Sequence, residues 1–467
     1  MSCKVYIESL GCPKNEVDGE SMASLLCKEG YQMTENKEEA DILILNTCGF
    51  IDSAKEESVN QIIELVCLKN EDRRKKIIVS GCLAQRYHKD LEEELPEIDA
   101  FLGIGDIDKI DQVCSLVLKN KKTCMVSLPK VSYNHRRIKR LDQNRPFAYI
   151  KIADGCDNLC SYCAIPSIRG RFRSKRVEDI LEEARKLVDY GVKEINLVAQ
   201  DTTLYGSDIY GERKLPHLLV LLSEIPELKW IRLLYTHPAH FSDELIEVVA
   251  SNPKVCKYLD LPLQHISDDI LAQMNRKVKR RDVEQLIFKL KEKIPDLTLR
   301  TSFIVGFPGE EKKHFAELLE FVEEIGFDNL GAFPYSREEG TKAYHFKGQV
   351  SSKLKHQRLD QLMLAQQEIA FEKNQTKIGK TLTVLIDAKS KEGSGYFLGR
   401  SQGEAPEVDG VILVKSNSLK IGEFARVKIT DYCDYDLVAE VVKNRFERKL
   451  NPRRQAFTAC ITISEDG

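Results

Sequence analysis

The segment GCDNLCSYCAIPS places Cys156, Cys160 and Cys163 in a C-x3-C-x2-C pattern directly after the apolar run Ala148–Ile152. Three thiolates so close in sequence converge on one centre only where the backbone loops around it, as a loop after a strand can. Three ligands on a four-iron cluster leave one iron without protein coordination. An electron carrier fills all four positions, whereas a catalytic centre keeps a vacancy for a substrate. The competing readings are an incomplete zinc site or coincidence. Zinc favours C-x2-C pairs with partners farther along the chain, and no His stands nearby, so the open iron–sulfur reading is preferred.

Three further cysteines share a position rather than a spacing. Cys12 follows the strand pattern KVYIES, Cys48 follows DILILN, and Cys82 follows KIIVS, each with a glycine beside it (Gly11, Gly49, Gly81). Parallel strands end on one edge of a sheet, where open α/β proteins place their sites. Glycine lets the backbone approach a bulky group. A second three-thiolate site with a free iron is the economical reading. The alternative, cysteine as a small buried residue, is accepted for Cys27, Cys67, Cys114, Cys124, Cys256 and Cys433, while Cys3 and Cys460 stay unassigned.

The elements that must position these residues follow from periodicity. In the first third, strands Lys4–Ser9, Asp41–Asn46 and Lys76–Ser80 alternate with helices over Glu16–Glu29 and Ser53–Lys69, which predicts a parallel sheet. From Pro146 to Ser336, six strand–helix units predict a partial (β/α)6 barrel, short of the usual eight. The strands are Ala148–Ile152, Glu194–Val198, Trp230–Leu234, Tyr258–Pro262, Thr298–Val305 and Asn329–Pro334, and a long helix over Ser351–Gln375 closes the unit. After Gly379 the runs TLTVLIDA, GYFLGR, GVILVKS and ARVKITDY predict a small all-β barrel. The fold class is thus α/β, with expected divisions at 1–118, a linker at 119–141, a core at 142–373, the β-barrel at 375–443 and a tail at 444–467.

A length of 467 residues suits about three domains, and 14 cysteines are too sparse for a disulfide scaffold. The segment MSCKVYIESLGC lacks the features of a signal peptide, and no apolar run spans a bilayer. The expectation is a cytoplasmic chain without a membrane partner, where clustered cysteines hold metal or do chemistry.

With Tyr162 before its last cysteine, at the end of a first barrel strand, the C-x3-C-x2-C motif resembles that of the radical S-adenosylmethionine (SAM) superfamily. That resemblance implies a [4Fe-4S] cluster whose vacant iron binds SAM, releasing a 5′-deoxyadenosyl radical that takes hydrogen from an unreactive carbon. The segment IVGFPGE, with Gly306, Pro308, Gly309 and Glu310, is similar to the stretch that packs against adenine. Taken alone it is a strand-ending turn. Gln200 in NLVAQD and Gln264 in LPLQH, just past strand ends, are candidates for polar contacts to SAM or substrate, or for capping roles.

Two cluster sites, such a barrel and a terminal β-barrel together resemble the methylthiotransferases. These have an N-terminal domain with an auxiliary cluster, a radical SAM core and a C-terminal TRAM barrel. The segments SLGCPKN, GCLAQRY, AIPSIRGRFRS, NLVAQDTTLYG, LDLPLQH, SREEGT and GRSQGEAPEVDG resemble the branch that modifies ribosomal protein S-twelve; tRNA-modifying relatives typically read GCQMN in place of GCPKN. Thr236–His237 and Lys175–Arg176 depart from the pattern and bear on substrate detail. The resemblance implies two [4Fe-4S] clusters held by the two cysteine trios and two SAM molecules. It implies conversion of C–H to C–SCH3 at the β-carbon of an aspartate, and an electron donor such as flavodoxin or ferredoxin.

Charge offers an independent reading. Lys plus Arg (70) nearly balance Asp plus Glu (73). The C-terminal barrel is neutral, with Glu404, Glu407 and Asp409 clustered in one loop. An RNA-gripping domain shows a basic excess, so a basic protein partner is favoured, unless these acids only solvate a loop. The alternatives are a tRNA adenosine methylthiotransferase, expected to carry a basic barrel, and a non-enzymatic electron carrier, expected to show four ligands per cluster.

Overall fold

The computed structural model describes residues 3–129, 144–391 and 395–442; the expected tail lies outside them, as does most of the expected linker. The N-terminal unit is a six-stranded parallel sheet of β1 (Lys4–Ser9), β2 (Gln32–Met33), β3 (Ile42–Thr47), β4 (Lys76–Ser80), β5 (Ala100–Leu102) and β6 (Thr123–Met125), in the order β2-β1-β3-β4-β5-β6. Every residue of β3 is buried, as a central parallel strand covered on both faces requires. The three-residue strands β5 and β6 are too short to leave a periodic signal. β6 lies inside the expected linker, so the sheet extends past the expected boundary at 118.

The core starts at β7 (Phe147–Lys151), followed by the small pair β8 (Ala153–Asp154) and β9 (Arg173–Ser174). Its parallel sheet then continues through β10 (Glu194–Val198), β11 (Trp230–Leu233), β12 (Val255–Asp260), β13 (Thr298–Val305) and β14 (Asn329–Pro334) in chain order. The expected partial barrel is therefore present as six strands. Helices cover its outer face, including Leu215–Ser223, whose almost uniformly apolar sequence hides a helical period. The long helix Ser352–Lys377 begins where the Ser351 side chain accepts from the Leu354 amide.

The C-terminal unit is a closed barrel of β15 (Thr381–Lys389), β16 (Tyr396–Arg400), β17 (Ile412–Lys415), β18 (Phe424–Cys433) and β19 (Asp436–Val441), ordered β15-β16-β17-β19-β18. Sequence reading found four of these strands and missed β19. Among the described residues no helix is long and apolar enough to cross a membrane.

Two buried charge networks join the units. Arg169 binds Asp18 of helix Pro13–Lys28 at 3.0 Å and Asp154 at 3.1 Å, and Lys151 binds the same two carboxylates. At the other interface Glu194 of β10 meets Arg232 of β11 at 2.8 Å and Arg400 of β16 at 2.7 Å. Arg400 also binds Asp387 at 2.6 Å. Arg232 donates to the carbonyls of Ser401 and Gln402.

The acidic loop of the small barrel is used within the molecule, which overturns its reading as a surface for a basic partner. Glu404 accepts from the Ser401 amide and hydroxyl, Asp409 pairs with Arg300 and Tyr258, and Glu407 meets Arg145 and Tyr149.

Breaking a buried ion pair from one side leaves an uncompensated charge, at a cost of about 3–5 kcal/mol. Arg169→Met is expected to lose that much stability in denaturant unfolding, with faster proteolysis of the N-terminal unit. Burial opposes ionisation of Glu194, but Arg400 and Arg232 outweigh it and hold the carboxyl below its ordinary 4.5. A carboxylate whose pKa falls on folding contributes stability at neutral pH and loses it as pH drops through the folded value. Glu194→Gln should therefore be less stable than wild type at pH 7. That gap should narrow in acid below about pH 4.5, as followed by unfolding at a series of pH values.

Candidate functional site

Strand ends deliver the first trio. Cys12 stands at the N-cap of helix Pro13–Lys28 after β1, Cys48 directly follows β3, and Cys82 is the second residue of helix Gly81–Glu94 after β4. Because β1, β3 and β4 are parallel neighbours, their ends lie side by side. Cys48 is fixed from both sides by Ser58, which accepts from its amide at 3.1 Å and donates to its carbonyl at 2.8 Å.

The neighbouring glycines also meet a packing need of the turns themselves. Gly11 has φ +89°, and a Cβ there would sit 2.7 Å from that of Cys48. At Gly81, φ +91°, it would sit 2.4 Å from the Thr47 carbonyl oxygen. These glycines let the cysteine-bearing turns approach one another.

The second trio lies on the loop between β8 and helix Ile165–Arg169. Its backbone is pinned by Cys156 N to Gly170 O at 3.2 Å and by Ser161 N to Met274 O at 3.0 Å. Asn158 donates to Asp201 at 2.8 Å, and the Asp201 carboxylate is held in turn by Thr203 and His240. Leu159 takes a left-handed φ of +50°, uncommon for a branched residue, and is 57% exposed. The cluster loop therefore reaches the surface there.

All six thiols line one cavity of about 450 Å³ between the N-terminal unit and the core. None of the described cysteines forms a disulfide. Burial pushes the Cys48 thiol up to about 12 and Cys156 to about 11, and it raises Cys82 and Cys163. At least one other member of the same trio adds to the rise at each of these thiols. Burial also opposes ionisation of Cys12, but Lys14 and Arg169 outweigh it and hold that thiol below its ordinary range. Hydrogen-bond donors face the sulfurs: Arg169 Nη2 lies 3.7 Å from Cys82, Arg276 Nη1 3.9 Å from Cys160, and the Asn158 amide 3.5 Å from Cys156.

Tyr162, Gln200 and Gln264 also line the cavity. Both amide atoms of Gln200 are buried without a hydrogen-bond partner. Gln264 has φ +73°, and its backbone bridges toward β13. Gly306, Pro308, Gly309 and Glu310 do not line the cavity. Glu310 folds the turn from within, accepting from the amides of Gly306 and Phe307 and pairing with Arg358 at 2.7 Å.

Sequence reasoning assigned no role to Lys14, Arg169, Tyr235, Asp260, Arg276 or Arg300, all on the cavity wall. Lys14 and Arg169 stand in quoted motifs. Asp260 ends β12 and Tyr235 follows β11 by two residues, so position at or after a strand end was the available signal. Thr236 and His237, a departure from the family pattern, also line the wall. Of the cysteines taken as buried bystanders, Cys114 and Cys256 are buried, whereas Cys67, Cys124 and Cys433 are exposed.

This donor set fits iron–sulfur clusters and SAM. Two all-thiol trios, N–H donors aimed at sulfur and an unpaired amide open into the same apolar-walled space.

Comparisons agree along the chain. The Radical SAM superfamily matches residues 150–322, Uncharacterized protein family UPF0004 matches residues 4–103, and the TRAM domain matches residues 378–442. The protein named ribosomal protein uS12 methylthiotransferase RimO from Heliobacterium modesticaldum is 48% identical over 442 residues, covering 95% of this chain and 96% of its own. Its namesake from Desulforamulus reducens is 48% identical, covering 93% and 98%. The namesake from Clostridioides difficile is 44% identical, covering 94% and 99%. Among solved structures, the radical S-adenosylmethionine methyltransferase TsrM from Kitasatospora setae shares the fold with a TM-score of 0.56 at 13% identity, covering 73% of this chain and 74% of its own. With such likeness to these relatives over nearly its whole length, and a radical SAM core carrying Cys156, Cys160 and Cys163, the chain belongs to the RimO family of radical SAM methylthiotransferases.

Proposed function

We propose that this chain methylthiolates the β-carbon of an aspartate in ribosomal protein uS12. In this reading Cys156, Cys160 and Cys163 hold the [4Fe-4S] cluster that binds SAM, and Cys12, Cys48 and Cys82 hold a second. The observation that carries it is the single cavity lined by both trios, combined with near full-length likeness to relatives that bear the uS12 name. When bound, SAM and the first cluster supply hydrogen-atom abstraction from an unactivated C–H bond, and the second cluster supplies the position where sulfur enters.

The chain's own side chains do the rest. Asp201 steadies the first loop through Asn158, and Arg276 and Arg169 each direct an N–H toward one sulfur of a different trio. Gln200 offers a buried amide with both atoms unpaired, suited to the polar parts of a bound nucleoside or peptide. Leu234, Ile304, Phe333 and Tyr335 on the wall keep water from a reactive carbon centre. The exposed tip at Leu159 is the face for a small electron donor such as flavodoxin or ferredoxin.

Anaerobically reconstituted protein, given SAM, reductant and a peptide copying the target loop of uS12, should add one methylthio group to the aspartate by mass spectrometry. Transfer to a tRNA adenosine instead would overturn the substrate. Cys160→Ala should lose reductive cleavage of SAM and roughly half of the bound iron. Cys48→Ala should lose a similar share of iron while still cleaving SAM, and should fail to methylthiolate. Two variants with the same loss of cleavage would contradict the division of labour between the trios.

A further inference from the structure

Lys14, the second residue of helix Pro13–Lys28, is only 7% exposed and lines the cavity. Its ammonium lies 3.2 Å from the centroid of the Tyr235 ring. Among the described residues no carboxylate stands within ion-pair distance of it. The neighbouring cations differ. Arg300 is spent on Asp260 at 3.0 Å and on Asp409 at 3.3 Å, and Arg169 is spent on Asp18 and Asp154. Arg276 donates to the Pro262 carbonyl and faces Cys160, at the other trio.

A buried cation that faces the Cys12 thiol and the Tyr235 ring but pairs with no carboxylate is only partly compensated. Tyr235 is itself held for the purpose. Its backbone has φ +58°, and its amide donates to Asp260 at 2.9 Å.

From this geometry we infer that Lys14 is the receptor for the side-chain carboxylate of the substrate aspartate, an inference that rests on the function proposed above. The carbon to be modified carries that carboxylate. A carboxylate drawn into the cavity must meet a cation, and Lys14 is the cation beside the Cys12 trio that no carboxylate engages. The ion pair sets the β-carbon on the wall next to the sulfur-donating trio. It also makes the free acid, rather than its amide, the preferred substrate. Lys14 contributes charge and position and moves no electrons.

Two peptides copying the target loop, one with the aspartate and one with asparagine in its place, test this. Wild-type reconstituted protein should bind the aspartate peptide at least about 30-fold more tightly, measured by fluorescence anisotropy without turnover. Lys14→Met should bring the two affinities together. Lys14→Arg should restore part of the preference. Equal binding of the two peptides by wild type overturns the inference, with no need for a folded variant. So does a Lys14→Met protein that keeps the preference. Failure of wild type to modify the aspartate peptide would instead strike the proposed function, while the binding comparison still decides the role of Lys14.

Discussion

Arg169, Lys151, Asp18 and Asp154 sit together with almost no access to water, and each charge is tolerable there only because the others are present. Asp18 belongs to the helix that starts after Cys12, Asp154 lies two residues before Cys156, and Arg169 ends the short helix after Cys163. The group therefore fixes where one cysteine trio stands relative to the other. Arg169 extends the tie to the sulfur itself, reaching Asn15 at 2.6 Å and Cys82 at 3.7 Å. Chemistry that takes hydrogen at one centre and sulfur at another needs both held against the same substrate atom. A rigid buried network meets that need better than a flexible linker could.

The small C-terminal barrel is held by the same kind of device. Arg400 and Arg232 converge on Glu194, and the loop after β16 folds down onto the core. Tyr149 donates to the Pro406 carbonyl, Tyr258 donates to Asp409, and Val408 reaches the cavity wall. This docking turns part of the barrel's charge, most of it acidic, inward against the core. The acidic cluster in GEAPEVDG is thus an internal joint, and its meaning changes once the arginines opposite are known.

Much of the fold was legible because parallel α/β architecture writes a strong period into the chain. β1, β4, β10, β13 and β14 stand where the apolar runs placed them, and both cysteine trios were readable, one from tight spacing and the other from repeated position after strands. The misses have physical causes. β5 and β6 are too short to show alternation, Leu215–Ser223 is too uniformly apolar to show a face, and β19 follows a tight turn in polar sequence. Cys67, Cys124 and Cys433 were expected inside because cysteine commonly is, yet a residue's type does not say which side of its helix or strand faces the core.

By itself the sequence determined the two candidate cysteine trios and the order of the elements that carry them, because cysteine spacing and strand periodicity are local properties. Only the tertiary structure decided which buried charges are satisfied. Arg300, Arg169 and Lys14 all read as cations along the chain, and what separates them is whether a carboxylate from a distant element lies within reach. Coulomb interaction in a low-dielectric interior depends on distances between residues far apart in sequence. No spacing along the chain encodes those distances, so the lack of a carboxylate partner for Lys14, beside Cys12, appears only in the folded molecule.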